Sequence, residues 1–263
     1  MFDDLGRDLR LFYLSQIYSF KGELTYRVSF ALWSINTFVG IFLSYLFITI
    51  MYSLSAGIAG WSYYDMLMLS ATTIIISNVV QYVINVYSTG RMLLVGGLDI
   101  YLTKPISTLM IFFGGPKSVT SLGGAIGGIV LFAYGASGAG VGLWGIAGFA
   151  LLFALGSIIF ILFMLVMLMS AYKLFRGGGW MNWIMSILGN ATKYPLSVYG
   201  TIGPLIFTFF IPLGIATYYP VEAATGKIGA LQIAALALFS VVVIVTLRKT
   251  FYLLFRSYES GMG

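Results

Sequence analysis

The sequence predicts an all-α membrane protein with six transmembrane helices. Hydrophobic residues make up 60% of its 263 residues and charged residues only 8%, whereas soluble domains average roughly 45–50% and about 25%. The apolar residues form stretches of about 20, the helix length that crosses a hydrocarbon core of about 30 Å. We therefore expect one transmembrane domain over 1–263, without a separate soluble domain.

Five spans follow from these stretches: 28–52, 65–87, 118–134, 142–171 and 230–247. The segment 180–220 is also apolar, but it is too long for one span, and prolines and glycines interrupt it. Two arrangements fit it. Either 180–196 crosses and 197–220 dips back from outside, or 201–219 crosses and 180–194 lies flat on the inner surface. Hydropathy favours the second arrangement.

The basic residues predict that both chain termini are cytoplasmic. With the N-terminus inside, 12 of the 14 Lys and Arg residues fall on the inner side, as they do in membrane proteins generally. Only Lys227 lies clearly outside, and Lys193 is ambiguous. This distribution requires an odd number of crossings between Arg176 and Lys227, which brings the total to six. The net charge of +6 thus reports topology, and we expect no nucleic-acid partner.

Residues 1–27 predict an amphipathic helix in the inner interface, ahead of the first span. Apolar residues from Leu5 to Leu24 recur mostly at steps of three and four, with Arg7, Arg10 and Lys21 between them. The simpler interpretation is a basic flank that helps to set topology. In either case the charges leave no uninterrupted apolar region, so the segment is not a signal peptide.

The residues that are missing exclude several kinds of chemistry. The chain has no cysteine and no histidine, which removes thiolate catalysis and the usual zinc and haem sites. None of its eight acidic residues falls in the middle of a predicted span, where ion-coupled transporters place ionisable groups. We therefore expect no catalytic residue, no metal site and no cofactor on this chain, and any energy for transport has to come from a partner.

Three amides share one face of the second predicted span: Asn78, Gln81 and Asn85. Their steps of three and four place them side by side on a helix. An unpaired polar group in hydrocarbon costs several kcal/mol, on the order of 2–7. The three amides therefore either bond to neighbouring helices or line a polar translocation path.

The third predicted span carries two overlapping pairs of glycines four residues apart. Small residues at this spacing let helix backbones approach closely. The pairs either pack within the chain or form a subunit interface, and they are Gly123 with Gly127 and Gly124 with Gly128.

The segment 88–117 is a long predicted inner loop. It contains an amphipathic stretch, RMLLVGGLDIYLTKPIS, and a second apolar piece, TLMIFFGG. Connections between neighbouring helices are usually much shorter. A structured loop of this length with apolar surface predicts a docking site for a partner.

Four motifs that occur in order resemble the permease subunits of type 2 ATP-binding-cassette (ABC) exporters. The motifs are LDIYLTKPIS (98–107), YPLSVYG (194–200), IPLGIATYYP (211–220) and RSYESGMG (256–263). The resemblance is narrower to six-span permeases that usually act with a second, non-identical permease and a separate ATPase.

The resemblance implies a role for each region. Residues 1–27 would be the elbow helix, and 88–117 would carry a coupling helix that docks in a groove of a dimeric ATPase, which binds ATP and Mg. Segment 180–196 would be the fifth span and 197–220 a re-entrant outer gate. The implied coupling residues are Arg91, Leu98, Asp99, Tyr101, Lys104 and Pro105. The implied gate residues are Pro204, Pro212, Tyr218, Tyr219 and Pro220.

The resemblance and the missing chemistry together favour an export permease of the cell membrane, which moves a hydrophobic or amphipathic substrate outward between two permeases. An ATP-independent channel or membrane scaffold is the alternative, with the second-span amides as a pore lining. A membrane enzyme acting on lipid is disfavoured by the absence of His, Cys and midspan carboxylates.

Overall fold

The computed structural model describes residues 2–54, 57–58, 60–115, 117–175, 194–200 and 202–258, which contain helices and no β-strand. The all-α fold is confirmed. Five helical segments are long and apolar enough to cross a membrane, or six if a bent pair of helices counts as one span. The predicted fifth span, 180–196, lies almost wholly outside the described residues.

Twelve α-helices are described. They are α1 (Phe2–Thr25), α2 (Arg27–Leu54), α3 (Tyr63–Ile84), α4 (Val86–Leu94), α5 (Asp99–Leu102), α6 (Thr108–Phe113), α7 (Thr120–Gly138), α8 (Leu143–Phe175), α9 (Ile202–Leu205), α10 (Leu213–Ala216), α11 (Tyr218–Ala224) and α12 (Ala230–Arg256). A 3₁₀ turn (Leu196–Tyr199) precedes α9 and a π-helical turn (Ile206–Phe210) follows it.

Four long helices overlap predicted spans in the sequence. Helix α2 covers the span 28–52, α7 most of 118–134, α8 nearly all of 142–171, and α12 covers 230–247. The last of them continues nine residues further, to Arg256, because its basic residues can extend the helix into water. The span 65–87 differs in a more informative way. Helix α3 ends at Ile84, and Asn85 adopts a left-handed conformation (φ 39°) before α4 begins.

Helix α3 packs most closely on α7, and glycines make this possible. A Cβ atom at Gly128 would lie 2.7 Å from Ile75 Cγ1, and one at Gly124 would overlap the Asn78 amide. Gly127 faces Ile41 of α2, whereas Gly123 faces open space. Three of the four predicted glycines therefore pack within the chain.

Two ends of the bundle are distinguished by their charges. We call the end formed by α1, α4–α6 and the adjoining ends of α3, α7, α8 and α12 the basic end; it carries Arg91, Lys104, Lys117, Lys173 and Arg248. At the opposite end, Lys227 Nζ lies 3.0 Å from Asp65 Oδ2 and 4.1 Å from the centre of the Trp61 ring. Asp65 also completes a capping box with Ser62 at the start of α3.

Helix α1 turns its polar side towards the bundle. Gln16 accepts a hydrogen bond from the Tyr82 hydroxyl, and Ser19 accepts one from the backbone N–H of Lys117. Leu11, Tyr13 and Phe20 of the same helix are exposed. The outward faces of α2 and α12 are likewise apolar and exposed. A bilayer is the environment in which such surfaces are stable.

Candidate functional site

The inner loop folds into three short helices, α4–α6, that are anchored to the bundle at the basic end. Leu98 is 0% exposed and belongs to the apolar cluster that joins Ile84, Leu93, Phe112 and Phe251. Tyr101 packs against the same cluster, and Lys104 Nζ lies 5.1 Å from the centre of its ring. These contacts fix the loop to α3, α8 and α12.

The outer surface of the loop is apolar with a basic rim. Ile100 is 64% exposed and Leu102 48%, and Val95 is exposed beside them. Arg91, Lys104 and Pro105 are also exposed. We call Arg91, Val95, Ile100, Leu102 and Lys104 the loop surface. Its composition, exposed apolar residues that lie between Arg91 and Lys104 in the sequence, is suited to docking against another protein.

Two predicted coupling residues, Leu98 and Asp99, are less exposed than the loop surface. Leu98 is fully buried, so it anchors the loop and has no surface to offer a partner. Asp99 is half-buried beside the C-terminal end of α12. There, burial and then the nearby Asp99 carboxylate raise the pKa of Tyr258. The structure thus ties the loop to the tail that follows α12.

The predicted amides lie on the wall of a cleft of about 630 Å³ among α1, α2, α3 and α7, which we call the polar cleft. Asn78, Gln81 and Asn85 form its α3 wall. Gln81 Nε2 donates to Asn85 Oδ1 (3.2 Å), and Asn78 Nδ2 donates to the Ile74 carbonyl (2.8 Å). These two bonds stay within α3 and the break that follows it.

The other walls of the polar cleft come from residues that the sequence analysis did not single out. Helix α2 contributes Phe30, Trp33, Asn36 and Thr37, and Tyr26 lies just before it. Helix α7 with its preceding loop contributes Ser118, Thr120 and Ser121. Glu23 of α1 closes one side, and its two carboxylate oxygens accept the backbone N–H groups of Val119 (2.8 Å) and Thr120 (3.2 Å). A carboxylate in this position caps the N-terminus of α7.

The break between α3 and α4 is held by a buried lysine. Lys117 Nζ donates to the Val83 carbonyl, in the last turn of α3, and lies 5.5 Å from the centre of the Phe12 ring of α1. Asn85 Oδ1 accepts the Ser88 backbone N–H (3.3 Å) and so caps α4. Burial lowers the pKa of Lys117 to about 8. Lys117 therefore joins α1, the break and the end of the inner loop.

The segment predicted to be re-entrant is bent. The helical pieces Ile202–Phe210 and Leu213–Ala224 meet at 83° around Pro212. The Thr208 hydroxyl and the Tyr219 hydroxyl are 3.0 Å apart and join the two arms. The Tyr218 ring lies 5.1 Å from that of Trp61, next to the ion pair of Asp65 with Lys227.

The two remaining gate candidates are prolines within this bend. The Pro204 carbonyl accepts a hydrogen bond from the Thr208 hydroxyl. Pro220 is buried in the first turn of α11, where its missing N–H costs no helical hydrogen bond. Both residues therefore shape the bent segment, and neither is a free surface group.

The bent segment packs closely against two glycines of α8. A Cβ atom at Gly156 would lie 2.6 Å from Ala216 Cα, and one at Gly145 would overlap the Ala224 carbonyl. Because these obstacles are backbone atoms, they cannot move aside as a side chain does. The step of eleven residues from one glycine to the other is about three helical turns, which places both on one face. That spacing is visible in the sequence and is a signal that the sequence analysis did not use.

A family model of ABC-2 family transporter proteins matches residues 38–261. The chain belongs to this family. It is therefore a membrane-embedded transport component, and its resemblance to type 2 permeases is confirmed. No curated protein and no solved structure matches the chain.

Family membership gives no role to individual residues of this permease. The loop surface, the polar cleft and the bent segment remain the candidate sites on structural grounds. Within the described ranges, no group of three or more acidic side chains is placed to hold a metal ion. The absence of a cofactor from this chain stays a prediction.

We predict that replacing Lys117 changes how the stability of the permease depends on pH. The folded-state pKa of about 8 lies below the usual value of 10.5, so between pH 8 and 10 the unfolded chain binds more protons than the folded one. This difference makes stability rise with pH in that window. Thermal unfolding in detergent at pH 7.5 and 9.5 should show a rise that Lys117→Met lacks, on the order of 2 °C.

Lys104→Met is the matched control, because Lys104 is an exposed lysine at the same end of the bundle. It should retain the rise seen in the wild type. Equal pH dependence in wild type and Lys117→Met would show that Lys117 is solvated like an ordinary surface lysine.

We also predict that Gly156→Ala destabilises the permease by about 1–3 kcal/mol, since the added methyl group meets the backbone of α10 and overpacks the contact. Gly123→Ala is the control, because nothing lies within 4 Å of its added methyl group. Unfolding in mixed micelles measures both variants. Equal stability of the two would mean that the bent segment does not pack on α8 as described.

Proposed function

We propose that this permease is the transmembrane subunit of an ATP-driven ABC exporter, which moves an amphipathic substrate out of the cytoplasm across the cell membrane. The observation that carries the proposal is the loop surface. It exposes apolar residues together with Arg91 and Lys104, and Leu98 anchors the loop to the bundle. Permeases of this family usually work with an ATPase partner. The chain itself offers no motif for nucleotide hydrolysis, so ATP and Mg would bind to that partner.

The construction of the loop suits the transmission of force. Ile100 and Leu102 stand out from the loop, while Leu98, two residues from Ile100, lies in the cluster shared by α3, α8 and α12. A partner that pushes on Ile100 therefore pushes on the packed ends of three long helices. Closely packed interiors pass on such displacements and do not absorb them.

The orientation in the membrane follows from charge. Placing the basic end in the cytoplasm agrees with the distribution of Lys and Arg in membrane proteins and puts the loop surface where an ATPase can reach it. Both termini are then cytoplasmic, and α1 is the elbow helix with its apolar side in the inner leaflet. The bent segment then lies at the outer face, where it would gate the exit.

A second permease, non-identical to this one, would complete the transport path. The outward face of α2 is apolar and exposed along its length, with Trp33, Phe38 and Phe42 among its exposed residues. Lipid or a second permease can cover such a face. A path between two permeases needs at least one face of this kind on each.

The loop surface is tested by placing charge in its apolar centre. Ile100→Asp combined with Leu102→Asp should weaken binding of the ATPase about 100-fold or more, since burying the two side chains together contributes on the order of 3–6 kcal/mol. Co-purification in mild detergent and transport-coupled ATP hydrolysis measure the effect. Leu54→Asp, an equally apolar and exposed site at the end of α2, should leave both unchanged.

Two outcomes would contradict the proposal at different levels. Unchanged co-purification and coupled hydrolysis in the double variant would remove the loop surface as the docking site. If no ATPase co-purifies with the wild-type protein in any of several detergents, the exporter assignment fails, and an ATP-independent channel or scaffold takes its place.

A further inference from the structure

The polar cleft lies at the depth of the hydrocarbon core, where its polar residues would face lipid if the cleft were closed to water. Asn36 is nine residues from Arg27, the first residue of α2, so its amide lies about 14 Å along the helix axis. That is close to the middle of a hydrocarbon core of about 30 Å. An amide facing lipid at this depth is costly, whereas an amide facing a hydrated cleft is not.

The cleft is chemically suited to an uncharged group with many hydrogen bonds. Its polar lining consists of amides and hydroxyls, which both donate and accept. Apart from the Tyr26 phenol, Glu23 is the one ionisable group among the described lining residues. Both oxygens of the Glu23 carboxylate already accept backbone N–H groups. Among the described lining residues, an anionic ligand finds no cation, and a cationic ligand finds one carboxylate that already bonds to the backbone.

One wall of the cleft is aromatic. Phe30 and Trp33 lie on one face of α2, and Tyr26, four residues before Phe30, directly precedes the helix in the same register. These rings line the cleft opposite the α3 amides. Flat aromatic rings opposite planar amides can hold the C–H face of a sugar ring while its hydroxyls bond to the amides. Trp33 is 61% exposed, so the cleft is open beside α2 and an attached alkyl chain can stay in the lipid.

We propose that the polar cleft binds the neutral, polyhydroxylated head of an amphiphile, such as the sugar of a glycolipid or alkyl glycoside. That this amphiphile is the transported substrate rests on the exporter function proposed above. Asn78 and Gln81 bond to the hydroxyls of the head, and Trp33 packs on its ring. The alkyl chain remains in the inner leaflet, beside α2.

The first test uses the absence of cysteine from the chain. Thr37→Cys places a thiol in the cleft, and Phe38→Cys places one on the outward, lipid-facing side of α2. A charged methanethiosulfonate reagent reacts with thiolates, which form in water. In phosphatidylcholine nanodiscs, the cleft cysteine should react at least tenfold faster than its neighbour. Equal rates would show that the cleft is not hydrated and would overturn the proposal.

The second test identifies the ligand class with three probes of equal chain length: octyl glucoside, octyltrimethylammonium and octyl phosphate. Below their micelle concentrations, the glucoside should slow labelling of Thr37→Cys at least fivefold and saturably, and the two charged probes should not. Preferential protection by a charged probe, equal protection by all three, or no protection by any would overturn the assignment to a neutral sugar-like head.

Variants on the α3 wall show whether the amides hold the head. Asn78→Leu and Gln81→Leu, each in the Thr37→Cys background, should abolish protection by the glucoside. Ser77→Ala, an exposed neighbour outside the cleft on the same helix, should retain it. Rapid labelling of the variants in the absence of probe shows that the cleft is still formed. Full protection in both amide variants would contradict the proposal.

These measurements need neither an ATPase nor transport. If protection by the glucoside holds and no ATPase co-purifies with the wild-type protein, the binding site stands and the exporter function fails. If an ATPase couples normally and the glucoside gives no protection, the exporter function stands and the binding site fails.

Discussion

The close contact between α3 and α7 depends on glycines that leave no side chain between the two helices. Gly124 and Gly128 let α3 approach so near that Asn78 and Ile75 occupy the space where a Cβ would be. In a membrane, where apolar surface gains little by leaving lipid, such packing is a main source of helix association. The position of α3 in turn places the Asn85 break at the basic end and Asp65 beside Lys227 at the other.

Residues at the basic end supply hydrogen-bond partners for the backbone that connects α3 to α7. The chain has to leave α3, form the inner loop and start α7 while its backbone polar groups stay bonded. Glu23 and Ser19 of α1 accept N–H groups at the start of α7, and the ammonium of Lys117 bonds to a carbonyl of α3. Helix α1 is therefore part of the structural frame.

Hydropathy was enough to predict the helical class and the presence of several helices long and apolar enough to cross a membrane, because about 20 apolar residues have one stable solution in a bilayer. It could not predict which side of a residue is covered. Leu98 and Ile100 are both apolar residues of one loop motif, yet one is buried and the other exposed. The difference comes from tertiary packing against Phe112 and Phe251, which lie far apart in the sequence.

The polar cleft is a second feature that the sequence could predict only in part. The α3 amides could be recognised from their spacing, but the cleft exists only because α2 sets Trp33 and Asn36 opposite them. A single-helix pattern does not contain that pairing. The α8 glycines could have been recognised more easily, since the eleven-residue step from Gly145 to Gly156 is visible in the sequence. The sequence does not show, however, that the backbone of the bent segment packs against them.

The loop surface and the polar cleft share a boundary at the Asn85 break. Asn85 lines the cleft and caps α4, and Lys117 bonds to Val83 just before the break. A displacement of the inner loop acts on α4 and on Lys117 at once, so it acts on both sides of this single left-handed residue. A hinge needs few residues that absorb a change in φ and ψ, and Asn tolerates this region better than most residues do. Such a displacement can therefore change the cleft wall without moving the α3–α7 contact, because the break lies beyond the glycines that hold α3 in place.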